Sequence, residues 1–418
     1  MTFKLVKNKN LIKRNLNNEY IYLPKDIIIS KLKENIILNG VNIDSQKKEI
    51  NYIDISCVIN NKINSYNHII ENFPSRAKRI IKNKDTIVSS VRPNLKCFAY
   101  IDEKFDNFVC STGFVVLSPV AINDKFLYYL FKLNKTTDFL VKNCTGGTYP
   151  AFNSSTIGEF EYINFNLNEQ KVIANILLKQ ESVISNIEKL ISKTEKLFDY
   201  FKNELLSGSK IIDFENMEVN SIDSSNKLDL KTVKLSDIVS FSMGNTPKKV
   251  DDNYNGDIPW ITISNLKSKY INNYTAFVKN SKSIKIIPKD TLIGSFKMSV
   301  GKFGFTTENC CTNEAIIAIK KEDTKENLDY LYYLLPKYFN DNAEKNGQGI
   351  PLLNSKKIKD IIVNIPELED QNKIVDFLKK YENLIENQKK LLEKEKQKFE
   401  WLSEKLLSGE YLVVEEQE

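Results

Sequence analysis

Residues 169–208 read EQKVIANILLKQESVISNIEKLISKTEKLFDYFKNELLSG, and residues 370–409 read DQNKIVDFLKKYENLIENQKKLLEKEKQKFEWLSEKLLSG. Both stretches open on an acidic–Gln pair (Glu169-Gln170, Asp370-Gln371) and close on Leu-Leu-Ser-Gly (Leu205 to Gly208, Leu406 to Gly409), at one offset of 201 residues. Between the ends, an apolar stripe alternates steps of four and three, the spacing of a helix face that packs on another helix. Its seam positions are Ile173, Leu177, Ile184, Ile187, Ile191, Phe198 and Phe201 in the first copy. In the second they are Ile374, Leu378, Ile385, Leu392, Phe399 and Leu402, and Leu391 is also predicted on the seam. The polar residues Gln180, Thr194, Gln388 and Glu395 interrupt the stripe and are expected to fix register and partner. Asn168, and Pro366 just upstream of the second copy, suit a helix start; the closing glycines suit the left-handed position after a helix end. Roughly 38 residues at about 1.5 Å each give a helix about 57 Å long. A helix longer than its own domain, repeated after a whole domain, marks a duplicated unit.

The duplication extends upstream. Lys84-Asp85-Thr86-Ile87 faces Lys289-Asp290-Thr291-Leu292, and Ser111-Thr112-Gly113 faces Cys311-Thr312-Asn313. Tyr128-Tyr129-Leu130 faces Tyr332-Tyr333-Leu334, and Gly146-Gly147-Thr148-Tyr149-Pro150 faces Gly347-Gln348-Gly349-Ile350-Pro351. Short strands rich in Ile, Val, Phe and Tyr, bounded by Asn, Asp, Gly and Pro, make each half an α/β domain. The predicted fold class is α+β: two α/β domains in tandem, separated by two long antiparallel coiled-coil helices, with a pseudo-two-fold internal repeat. The first half carries about 20 extra N-terminal residues, read as a leader helix or strand. Residues 209–231 are polar, lack the heptads and read as a linker.

Length and composition set the limits. A chain of 418 residues suits two domains plus extended elements. No apolar run approaches a membrane span, and no secretory signal is recognisable, so a soluble cytoplasmic protein is expected. The six cysteines lack CxxC spacing and His68 is the single histidine, which leaves no zinc pattern and reads as reduced, buried thiols. Pro-Pro is absent, so the adenine-methyltransferase loop is missing, and no G-x-G-x-x-G precedes a helix. Gly294 to Gly301-Lys302 is followed by Phe303 where a P-loop needs Ser or Thr for Mg²⁺. No metal is expected, and the chain is read as non-catalytic.

The net charge of +6 permits nucleic-acid binding without requiring it. Position is the better guide. Arginine is scarce, yet Arg76, Arg79 and Arg92 fall in two neighbouring segments of the first half. Ser75, Arg76, Lys78 and Arg79 form one candidate DNA-binding group, Arg92, Asn94 and Lys96 a second, and Thr148 with Tyr149 a third. Arginine offers guanine a bidentate fork and asparagine does so for adenine, while Ser, Thr and Lys suit phosphate. The second half offers Thr246, Lys248, Lys297, Ser299, Lys302 and Gln348, without arginine. Trp260 is read as core rather than as a base-stacking platform. Unlike side chains at like positions imply two different sequences read.

Taken in order, Pro74-Ser75-Arg76-Ala77, Gly244-Asn245-Thr246-Pro247, Ile258-Pro259-Trp260-Ile261, Gln348-Gly349-Ile350-Pro351 and the twin Leu-Leu-Ser-Gly helices form one set. That set resembles the specificity subunit of type I restriction–modification systems, from about Tyr20 to Val414. The first half departs from it, with Tyr52-Ile53-Asp54-Ile55 in place of Ile-Pro-Trp-Ile. The resemblance implies a target-recognition domain with its leader over 1–166, a first spacer helix over 167–208 and a linker over 209–231. A second recognition domain over 232–367, a second spacer helix over 368–410 and a tail over 411–418 complete it. It further implies double-stranded DNA as ligand, two modification (methyltransferase) subunits docked on the helices, and restriction subunits that cleave unmodified DNA. No cofactor is expected in this chain. S-adenosylmethionine would belong to the modification subunits and ATP with Mg to the restriction subunit. The residues alone leave two other readings open: a non-catalytic coiled-coil scaffold, and an orphan or regulatory DNA-binding protein.

Overall fold

Heptads of Leu and Ile set among Lys and Glu favour long helices. In the computed structural model two 40-residue helices occupy Leu167–Leu206 and Leu368–Leu407. The structure describes residues 3–8, 11–25, 27–44, 46–213, 218–221, 228–246, 256–280 and 284–415. The chain divides into two units, Met1–Lys189 with Lys390–Glu418, and Leu190–Lys389. Each unit therefore holds part of both long helices.

In the first unit, Phe98–Tyr100, Thr86–Ser89, Phe114–Pro119 and Ile36–Leu38 form an antiparallel sheet. Beside it lies a five-stranded sheet in the order Asn67–Ile70, Glu49–Ile53, Val109–Ser111, Ala77–Ile80, Val41–Asn42. Its one parallel pair is Glu49–Ile53 with Val109–Ser111. The second unit repeats both ladders. Leu292–Ser295 lies between Phe303–Thr306 and Ile316–Ile319, and Ile258–Ile261 pairs antiparallel with Phe277–Val278 and parallel with Cys311–Thr312. Tyr52-Ile53 and Trp260-Ile261 thus serve equivalent strands although the motif is missing from the first half. Pleated strands ask for β-branched and aromatic side chains at buried positions, which both sequences supply.

Both cores close on the two long helices. Ile173, Ala174 and Leu177 cluster with Leu402, Leu406, Leu407, Phe126 and Tyr162 in the first unit. Ile374, Val375, Phe377 and Leu378 cluster with Leu205, Phe296, Tyr330 and Leu335 in the second. In each unit the start of one helix meets the end of the other, so the helices run antiparallel. The polar interruptions hydrogen-bond across the seam: the Gln180 amide donates to Glu395 at 2.5 Å, and that of Gln388 donates to the Thr194 hydroxyl at 3.2 Å. Ile173, Leu177, Ile187, Ile191, Ile374, Leu378 and Leu402 are buried, and Ile184, Phe198, Phe201, Ile385, Leu392 and Phe399 half-buried. Leu391, expected on the seam, is 46% exposed. Its neighbour Leu392 faces inward, because one residue turns a helix by about 100°.

The helix starts correct another expectation. Asn166, not Asn168, caps the first helix: its Oδ1 accepts the amides of Asn168 (3.1 Å) and Glu169 (3.0 Å), and Glu169 Oε2 accepts the Asn166 amide in return. The glycines Gly208 (φ 71°) and Gly409 (φ 66°) do end the helices in the left-handed region. The N-terminal leader is a strand, Phe3–Lys7, paired with Tyr411–Glu415. Within the segment read as a linker, Lys210–Asp213 pairs with Glu218–Ser221, and its last residue, Lys231, opens the strand Lys231–Lys234 that pairs with Ile362–Ile365.

Candidate nucleic-acid interface

A chain of main-chain hydrogen bonds gathers the three loop segments of the first unit at one sheet end. The Arg76 carbonyl accepts from Thr112 N (2.8 Å), Gly113 O from Ser90 N (2.8 Å), and Ser90 O from Phe152 N (3.1 Å). Arg92 N then donates to Pro150 O at 2.8 Å. Ser75, Arg76, Lys78, Arg92, Asn94, Thr148 and Tyr149 are all exposed there. The Arg92 guanidinium lies 4.5 Å from the centre of the Tyr149 ring, which is 67% exposed. A ring of this kind both orients the cation and leaves its outer edge free for a base.

Two candidates are turned elsewhere. The Arg79 guanidinium is half-buried and donates to the Phe114 carbonyl, and burial lowers its pKa from the ordinary guanidinium value. A register shift between Ala77 and Arg79 breaks the strand alternation and swings this side chain inward. Lys96 is half-buried and donates to Asn134 Oδ1 at 2.6 Å.

The second unit builds the same edge from different side chains. Gly244 N donates to Ile316 O (3.1 Å), Asn245 N to Thr312 O (3.0 Å), Phe296 N to Ala315 O (3.0 Å), and Leu353 N to Phe296 O (2.8 Å). A β-carbon at Gly244 would lie 2.1 Å from the Thr312 hydroxyl, so only glycine admits this approach. Thr246 donates to the Glu314 carboxylate, a bond that holds Glu314 below the usual carboxylate range. Met298 N donates to Pro351 O at 2.9 Å, the counterpart of Arg92 with Pro150. Lys302 and Gln348 are exposed on these loops, Lys297 and Ser299 half-buried. Lys248, with Pro247 and Lys249, lies outside the described residues. Trp260 is half-buried in its strand.

Met298 and Ile350, 65% and 36% exposed at this edge, are not among the sequence candidates. Their side chains carry no hydrogen-bonding group of the kind that marks a DNA contact in sequence; equivalence with Arg92 and Tyr149 marks them instead. Elsewhere, among the described residues, no group of three or more His, Cys, Asp or Glu could hold a metal. Burial pushes the thiols of Cys110 and Cys310 up to about 12 and those of Cys97 and Cys311 to about 11, keeping them neutral. His68 is exposed and bonds Asn51 at 2.9 Å. No helix among the described residues is long and apolar enough to cross a membrane.

Two copies of one loop platform, built on one topology and carrying unlike tips, define a duplicated protein whose two units differ at equivalent exposed loops. The chain belongs to the type I restriction–modification specificity family: the family described as Type I restriction modification DNA specificity domain matches residues 24–196 and again 227–395. The HindI type I restriction enzyme specificity subunit of Haemophilus influenzae is 24% identical over 417 residues, covering 81% of this chain and 90% of its own. The fold is shared with solved structures. One, from work on complex assembly and conformational transition of the type I R-M system, matches 93% of this chain and 99% of its own, with TM-score 0.67 and 19% identity. The HsdS subunit from Thermoanaerobacter tengcongensis matches 93% of this chain and 98% of its own, with TM-score 0.56 and 19% identity. The chain is thus a specificity subunit that serves DNA recognition.

Proposed function

We propose that this chain reads an asymmetric, bipartite site in double-stranded DNA, one half through each unit. The observation that carries this reading is the pair of equivalent loop edges with different tips: Arg92 over Tyr149 in one unit, and in the other Met298, whose amide bonds Pro351, with the exposed Ile350 preceding that proline. One scaffold with two sets of tips reads two sequences. The antiparallel helices set the spacing between the half-sites and dock two modification subunits. Val183, Leu190 and Leu197, seven residues apart on the first helix, are 42%, 49% and 38% exposed; Leu384 and Leu391 repeat the pattern on the second at 47% and 46%. Apolar residues so placed suit partner helices.

In this division of labour the specificity chain is non-catalytic. The modification subunits bring S-adenosylmethionine and methylate adenine N6, and a restriction subunit using ATP and Mg cleaves unmodified DNA in the cytoplasm. The test is methylome sequencing of a host with and without this chain. Adenine methylation at a motif of two separated, unlike halves should appear only with it. Methyl transfer by the purified chain alone, or a continuous motif, would overturn the reading.

A further inference from the structure

We infer that Met298, with Ile350, reads thymine through its 5-methyl group in the half-site bound by the second unit. This rests on the proposed one-unit, one-half-site reading and adds the chemistry by which that half is read.

Met298 has φ 64° and Arg92 has φ 49°, a region that non-glycine residues seldom occupy. Both hold it while donating an amide hydrogen to a proline carbonyl, Pro351 at 2.9 Å and Pro150 at 2.8 Å. The next strand segment is fixed alike, Leu353 to Phe296 in one unit and Phe152 to Ser90 in the other. The side chain at this position is therefore displayed from a pinned turn. Single exposed apolar residues are ordinary on a surface. This one stands where the other unit presents the exposed Arg92–Tyr149 pair, and it does not stand alone.

Ile350 occupies the position of Tyr149. Its amide donates to Asn346 Oδ1 at 2.9 Å, as does that of Gln348, so the hairpin tip is held by one side chain. Lys302, exposed, and Lys297, half-buried with its ammonium 5.3 Å from the Phe296 ring centre, neighbour Met298 in sequence and add positive charge to the loop that carries the apolar tip. That charge suits the duplex DNA of the proposed reading as the occupant. In the major groove the one apolar group on any base-pair edge is the thymine methyl. A methionine and an isoleucine cannot form the hydrogen bonds that select guanine; they can bury that methyl.

The experiment uses the full chain assembled with its modification subunits. Duplexes selected from a random pool define the two halves, and Arg92→Ala identifies the half belonging to the first unit by relaxing it. Thymines in the other half are then replaced singly by deoxyuridine, which lacks the methyl. Loss of about fourfold in affinity is expected at one or two positions, the value of one buried methyl-sized group. Met298→Ala should weaken the thymine duplex by a similar factor and become indifferent to deoxyuridine there, while Met298→Leu keeps the discrimination. Tolerance of deoxyuridine throughout that half, or full discrimination by Met298→Ala, overturns the inference. So does a sharp kink at that half without methyl dependence, since the side chain would then act as a wedge. Failure to select any two-part motif would instead sink the reading beneath it.

Discussion

Gln170 accepts the main-chain amide of Asn123 at 2.8 Å, and Gln371 does the same for Asn327 at 3.1 Å. Asn123 and Asn327 cap the short helices Asp124–Leu130 and Leu328–Asn342, so in each unit a buried glutamine joins the first turn of a long helix to the domain it carries. The other end of each amide is used as well: Gln170 donates to Phe165 O at 2.7 Å, and Gln371 to Pro366 O at 3.0 Å. In both repeats the glutamine of the acidic–Gln pair makes this join, while Glu169 completes the cap on Asn166.

Gln170→Leu should therefore destabilise the first unit by about 1–3 kcal/mol, because it strands a buried amide and a buried carbonyl. Gln371→Leu should do so in the second. Urea unfolding followed by hydrogen exchange, which separates the two units, checks this. Equal stability of variant and parent would show that water replaces the glutamine.

Arg92→Ala should cost about 1–3 kcal/mol in binding and relax the sequence preference in one half-site only. Tyr149→Ala should relax the same position more weakly, since it removes the ring that orients the guanidinium but not the fork itself. Selection of bound duplexes from a randomised pool reads both outcomes. Uniform weakening across all sequences would reassign Arg92 to phosphate.

Much of this arrangement was legible in the chain. Heptads and a constant offset gave the twin helices, and alternating apolar strands gave the domains, because burial periodicity is written directly into sequence. Side-chain direction at the loop edge was not. Arg79 looked like a reader until a register shift turned it toward Phe114 O. Met298 is not among the sequence candidates, and its amide bond to Pro351 marks it as the equivalent of Arg92 in the repeat. Asn168 resembled a cap, yet Asn166 two residues earlier captures the free amides. Each miss turns on a local backbone path that residue type does not encode.

The second unit should show a local sensitivity to acid. Asp329 is shielded from water, which favours its neutral form, but the Lys379 hydrogen bond (2.8 Å) and the charge of Lys269 (3.1 Å) outweigh that and lower its pKa below the ordinary value of 3.8. A depressed carboxyl pKa stabilises the folded state above the unfolded value and loses that contribution as pH falls through the folded one. Unfolding measured from pH 6 down to the acid limit should lose stability below about 4. Asp329→Asn should flatten that part of the profile, and an unchanged slope would remove Asp329 from the account.

The seam makes the last prediction. If the helix pair measures spacing, seven residues inserted into each helix keep every seam residue facing inward and lengthen the pair by about 10 Å. At about 3.4 Å per base pair, the spacer between half-sites should grow by about three pairs while both half-site sequences stay fixed. Inserting seven residues in one helix alone mismatches Gln180 with Glu395 or Thr194 with Gln388, the polar contacts that set the register. Ile187→Lys with Leu392→Lys, at buried and half-buried seam positions, should break the pairing and abolish a defined spacer. Methylome sequencing distinguishes the outcomes. A matched insertion that left the spacer unchanged would mean that the helices hold the domains without measuring the distance between their targets.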